Sequence, residues 1–203
     1  MSGTSSARRL EAVVVGASAG GVEALITVLP AIPLAAQVPV IVVLHLPGHH
    51  RSLLVEIFSP LCALPVHEVV DKEMIMPGNI YFAAPNYHVL IERERSFALS
   101  LDEPVQFSRP SIDVLFESAA AVYGEHLAAV LLTGAGMDGA AGMAAVQAAG
   151  GLTVVQDPAG AHAVSMPQSA LQRIVPDYCL SLPNIALFLR SLHSGVVNES
   201  ALG

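Results

Sequence analysis

Basic side chains are scarce in this sequence: nine lysines and arginines stand against 17 aspartates and glutamates, a formal net charge of −8 at pH 7. Such a chain has no polycationic footprint, which argues against nucleic acid or an anionic membrane surface as a partner. Cysteine is almost absent. Cys62 and Cys179 lie far apart without CxxC spacing, so a reduced, cytoplasmic compartment is expected. Long apolar runs are missing too, although hydrophobic residues make up 53% of the chain and the mean hydropathy is +0.60. The run "VPVIVVLHLP" has the length of a strand, whereas a bilayer span needs roughly 20 apolar residues. No secretory leader is expected, because Glu11, the glycine cluster and Glu23 interrupt the apolar stretch after Arg8-Arg9. Internal repeats, low-complexity tracts and interdomain linkers are also lacking.

What is present is a set of unbroken Val/Ile/Leu runs, the signature of parallel strands covered on both faces. Leu10–Gly16, Val38–His45, "LAAVLLTG" and "GLTVVQD" read as such strands. Helices are expected at Gly21–Leu29, ended by Pro30, and at "HHRSLLVEIFSPLC". Further helices fit "SIDVLFESAAAVYG" after an N-cap at Ser111, "DGAAGMAAVQAAG", "MPQSALQRI" and "NIALFLRSLH". Between residues 66 and 107 the segments are shorter, and "HVLIERE" and "SFALSLD" alternate about a polar turn, which predicts a β-hairpin. The fold class is therefore α/β: a doubly wound, mostly parallel sheet with an antiparallel hairpin excursion near residues 66–107. Residues 1–9 read as a polar arm and 10–203 as one domain.

In such sheets the ligand site lies at the carboxyl ends of the strands. Ser18 follows the first strand, His45 closes the second, and Asp138 follows "AVLLTGAGM". A hydroxyl, an imidazole and a carboxylate that converge make a hydrolytic triad. The turn "GASAGG" also fits G-x-S-x-G, a weak pattern alone, and the chain order Ser, His, Asp is not that of α/β-hydrolases. Glycines opening a helix equally form an anion site. The turn lacks Gly-Lys-Ser/Thr, however, and its glycines fall at the first, fifth and sixth places rather than those of G-x-G-x-x-G. A serine in a glycine turn is also an ordinary helix cap, and Asp138 at a helix start an ordinary capping aspartate. His45, His49 and His50 form no metal set, since no carboxylate or thiol nearby completes one; no metal and no cofactor are expected.

Taken together, "VVVGASAGGVEAL", "VVLHLP", "MPGNIYFAAPNYHV", "SRPSIDVLFESAA", "VLLTGAGMDGAAGM" and "QDPAGAHAVSMPQSAL" resemble, in order, the catalytic domain of CheB-type protein-glutamate methylesterases. The resemblance runs from about residue 11 to residue 192. It implies removal of methyl esters from chemoreceptor glutamates, with Ser18 as nucleophile, His45 as base and Asp138 as acid, and with glutamine deamidation as a second activity. It further implies an oxyanion site at backbone N–H groups of Ala135 and Met137, and partners among methylated chemoreceptor cytoplasmic helices. Arg109 is a candidate to steer an acidic receptor segment, or else pairs with a structural carboxylate. Met166 falls in a family loop near the active site, or packs. The chain has Ala19 where such enzymes commonly have threonine, and Ala135 where they commonly have methionine. Only nine residues, most of them polar, precede the first strand, so no receiver domain is expected here, and a separate response-regulator partner would then supply control. The rival readings are a non-catalytic signalling module that binds a receptor or partner helix, and a phosphate- or nucleotide-binding domain.

Overall fold

The computed structural model describes residues 7–46, 53–192 and 196–198. In chain order they form β1 (Ala7–Arg9), β2 (Ala12–Ala17), α1 (Gly21–Val28), β3 (Val40–Leu44), α2 (Leu54–Phe58), β4 (Val66–Glu68), β5 (Ile80–Phe82), β6 (His88–Ile91) and β7 (Phe97–Ser100). There follow α3 (Ile112–Tyr123), β8 (Leu127–Leu131), α4 (Ala140–Ala148), β9 (Leu152–Gln156), α5 (Ser165–Arg173), β10 (Tyr178–Leu180), α6 (Leu182–Arg190) and β11 (Val196–Asn198). Seven strands make one sheet in the order β10-β9-β8-β2-β3-β5-β4, with every pair parallel.

The central strands are apolar on both faces because both faces are covered. Val13, Val15 and Ala17 of β2 point with Val40, Val42 and Leu44 of β3 into one core, which α1 and α6 cover. Ala12 and Val14 point with Ile41, Val43 and Leu131 into the other, which α3, α4 and α5 cover. This is the two-residue strand period acting on sequences that offer no polar face. Proline at position 30 sits in a short 3₁₀ turn, Leu29–Ala31, directly after α1, as the sequence predicts.

The antiparallel excursion is narrower than residues 66–107. It consists of the β6–β7 hairpin, His88↔Ser100 to Ile91↔Phe97, which lies on α3. Val66–Glu68 and Ile80–Phe82 instead join the parallel sheet. Their three-residue length hides that destination, because periodicity over three residues cannot separate strand classes. Ala7–Arg9, expected in a loose arm, pairs antiparallel with Val196–Asn198; the rest of that arm, residues 1–6, lies outside the described residues, as do His49 and His50. No helix among the described residues is long and apolar enough to cross a membrane.

The chain runs from β2 to β3 and outward, then returns to lay β8 on the opposite side of β2. The crevice at the carboxyl ends of β2, β3 and β8 is thus the topological switch point, where open α/β sheets bind ligands. Helix α3 backs that crevice, and Phe116, fully buried, anchors it to the core. Phe116→Ala should lower unfolding free energy by about 3–5 kcal/mol, measured by denaturant titration; a loss under 1 kcal/mol would show that α3 is not tied to the core through this ring.

Candidate active site

Strand register brings the three predicted residues together. Ala17 pairs with Leu44 and Gly16 with Leu131, so Ser18 and His45 leave neighbouring strands at the same level, where strands are about 4.8 Å apart. The backbone continues the ladder one step beyond the strands: His45 N–H donates to Ala17 O at 3.0 Å and Ser18 N–H to Thr133 O at 3.0 Å. Ser18, His45, Leu46, Ser108 and Ala135 line one cleft of about 500 Å³. A second hollow of about 250 Å³ shares His45, Leu46 and Ser108 with the first and is also lined by Asn86, Phe107 and Arg109.

Asp138 is 2% exposed. Its Oδ2 accepts from His45 Nε2 at 2.9 Å and from Ile112 N–H at 2.7 Å. Its Oδ1 accepts from the Ser111 hydroxyl (2.8 Å), Asp113 N–H (2.9 Å) and Gly139 N–H (3.0 Å). Burial pushes the carboxyl up, but the bonds from His45, Asp113 N–H, Ile112 N–H and Ser111 outweigh it and hold the group below the usual range. The carboxylate is therefore ionised and can only accept. The proton on the shared edge belongs to His45 Nε2, which leaves Nδ1 as the ring's basic nitrogen. On that side stands Ser108, its Oγ 3.5 Å away at the outer limit of a hydrogen bond. Among the described residues no hydrogen bond joins Ser18 to His45.

The turn that carries Ser18 and the loop packed against it each need a glycine. Gly20 has φ +75°, and a Cβ there would stand 2.5 Å from His162 Cβ. A Cβ on Gly134 would meet Met166 Sδ at 2.6 Å and Ser18 Cβ at 2.9 Å. The 133–137 loop thus lies directly on the serine. Its Gly134 N–H goes to Ala163 O, and among the described residues no hydrogen bond takes the N–H of Ala135 or Met137. Ala135 lines the serine cleft, whereas the Met137 side chain lines a separate hollow beside Asp113 and Arg173.

Two residues open to either a substrate or a structural reading have partners within the fold. Met166 is fully buried and packs behind Gly134, so it supports the loop rather than touching a substrate. Arg109 lines the second hollow, and its guanidinium holds Asn86 Oδ1 and the carbonyls of Leu101 and Asp102, an amide and carbonyls in place of the carboxylate expected for a structural pair. Sequence reading missed Thr133 as a site residue. Its Oγ1 accepts Ala163 N–H at 2.8 Å and reaches Ala19 O at 2.9 Å, while its N–H goes to Gln156 Oε1 at 2.7 Å. A lone threonine ending an apolar run, "LLTG", was the available signal.

A serine, an imidazole and a buried carboxylate at the carboxyl edge of a parallel sheet are the parts of a serine hydrolase. Comparison with known proteins narrows the class. The family described as CheB methylesterase matches residues 13–189. A Leptospira interrogans protein is 46% identical over 181 residues, 89% of this chain and 94% of the relative. A Chromohalobacter salexigens protein named protein-glutamate methylesterase/protein-glutamine glutaminase is 38% identical over 78% of this chain and 46% of its own length. The chain thus spans about half of that relative and nearly all of the first. The crystal structure of the Thermotoga maritima CheB methylesterase catalytic domain superposes with a TM-score of 0.85 at 30% identity, covering 90% of this chain and 98% of that one. The chain belongs to the CheB methylesterase family.

Asp113 adds a second carboxyl behind the first. It is buried, and its Oδ1 accepts Gly142 N–H at 2.7 Å. Burial pushes it up to about 6; the Gly142 bond opposes this and the charge of Asp138 adds to it. Because the folded value lies above the unfolded one, its contribution to stability is present below about pH 4 and lost as pH rises through about 6. Asp113→Asn keeps an oxygen for Gly142 without the charge. Its melting temperature should exceed that of wild type at about pH 7.5 and converge on it near pH 4; a difference independent of pH would show that Asp113 ionises freely in the fold.

Proposed function

We propose that this chain is a protein-glutamate methylesterase that hydrolyses glutamyl methyl esters on chemoreceptor cytoplasmic helices, with glutamine deamidation as its companion activity. The observation that carries this reading is the register that sets Ser18 beside His45 while His45 Nε2 bonds the buried Asp138. Ser18 Oγ attacks the ester carbonyl as His45 Nδ1 takes its proton. Asp138 holds the tautomer and stabilises the imidazolium. Backbone N–H groups of the Ala135–Met137 turn receive the developing oxyanion, a role that asks nothing of the alanine side chain. The imidazolium protonates the leaving methoxide, and methanol departs. Water, deprotonated by Nδ1, then attacks the acyl-serine and releases the glutamate. With glutamine the same steps release ammonia. The compartment that fits this substrate is the cytoplasm, and a separate response regulator fits as the controlling partner. The binding-module alternative is not favoured, since it leaves the His45–Asp138 bond and the serine cleft without a use.

A second hydroxyl, Ser108, also faces Nδ1, so the nucleophile is tested directly. Ser18→Ala should abolish methanol release from a methylated receptor signalling domain, while Ser108→Ala should keep it within about tenfold. A serine-reactive phosphonate should mark the peptide that contains Ser18; a mark on Ser108 would reassign the nucleophile. Asp138→Asn removes the ionised acceptor for Nε2–H and should lower kcat by about 10²–10⁴-fold, read from the same methanol assay. A loss below tenfold would mean that the carboxylate does not hold the tautomer.

A further inference from the structure

His88 opens β6, is 1% exposed, and lies outside the cleft. Both of its ring nitrogens are engaged. Nδ1 faces the backbone N–H of Ser111 at 3.2 Å, and Nε2 faces the carbonyl oxygen of Glu103 at 3.1 Å. An N–H can only donate and a carbonyl can only accept. The ring is therefore neutral, with its proton on Nε2.

The residue it grips is the N-cap of α3, and Ser111 is fully buried. From this cap the Ser111 hydroxyl and the N–H groups of Ile112 and Asp113 all run to Asp138. Where α3 begins thus decides where the carboxylate sits, and the carboxylate sets the plane of His45. The far side of His88 is held as well: Glu103 follows Leu101 and Asp102, whose carbonyls Arg109 binds. A rigid series runs from Glu103 O through His88, Ser111 and Asp138 to His45.

We propose that His88 is a positioning residue for the general base, acting through Ser111 and Asp138 without touching substrate. This rests on the reading of His45 as the base. A carboxylate or imidazole displaced by about 1 Å typically costs on the order of 10²-fold in rate, and the side chain that locks the helix start governs that displacement.

The test begins with the wild-type protein. Long-range ¹H–¹⁵N correlation of the histidine rings at about pH 7.5 should show His88 as the neutral Nε2–H tautomer; an Nδ1–H tautomer or a doubly protonated ring overturns the proposal. His88→Ala, confirmed as folded by its far-UV spectrum and melting curve, should lower kcat by about 10–100-fold at unchanged KM. It should also shift or broaden the low-field proton that His45 Nε2 shares with Asp138. His88→Asn, whose Oδ1 can take the Ser111 N–H, should restore kcat to within about threefold of wild type, because that acceptor is what holds the cap. Wild-type kcat in folded His88→Ala, an unmoved low-field proton, or a loss confined to KM would each overturn the proposal. If His88→Ala does not fold, the wild-type tautomer and the His88→Asn kinetics decide. If the wild-type enzyme releases no methanol, the esterase reading falls separately, and phosphonate labelling rates with the low-field proton still judge His88.

Discussion

One buried carboxylate organises this molecule. Asp138 takes five hydrogen bonds, from the start of α3, from Gly139 and from His45. Each satisfies a group that the fold would otherwise strand. The opening N–H groups of α3 have no partner within their own helix, and the positive end of the helix favours a negative charge there. A buried carboxylate, for its part, is tolerated only when fully hydrogen-bonded. Helix and acid solve each other's problem, and His45 is placed by the remaining lone pair. The geometry of the proposed triad is thus inseparable from the capping of a structural helix.

The sheet supplies the other half of the arrangement. Parallel strands in register deliver their following residues to a common edge, so Ser18 and His45 need no special device to meet. The glycines at 20 and 134 then allow two loops to close over the serine with almost no space between them. Thr133 ties those loops by bonding to both the Ala19 and the Ala163 backbone. Ser18, His45 and Asp138 come from three separate stretches of chain: His45 N–H bonds Ala17 O beside the serine, Ser18 N–H bonds Thr133 O at the start of the loop that leads to Asp138, and the carboxylate is held by the start of α3.

Much of this was legible in the sequence, for physical reasons. Runs such as Val13–Val15 and Ile41–Val43 betray strands buried on both sides, and the residues that follow such runs are the site residues of a doubly wound sheet. Asp138 was visible as a strand-end acid and Ser111 as a cap, but nothing in their spacing says that the cap's hydroxyl bonds the acid. His88 was invisible for the same reason: a histidine in an alternating hairpin strand gives no sign of what lies across from it. Arg109 and Met166 stayed open to two readings because sequence places a residue near a site without telling whether its polar atoms or its bulk are already taken. The three-residue strands at 66–68 and 80–82 carry too few positions for a period to show.

The bond between His45 and Asp138 spans 93 residues of chain. Contacts of such separation form only after the intervening loops have closed, and loop closure makes them slow to assemble. β2 and β3 can pair early, but the acid arrives only once β8 has crossed back to the other side of β2. A chain still emerging from synthesis, or one cut between β7 and β8, holds a serine and an imidazole with nothing to orient them. On the proposed mechanism, hydrolysis in this architecture waits for β8 and for the acid that follows it.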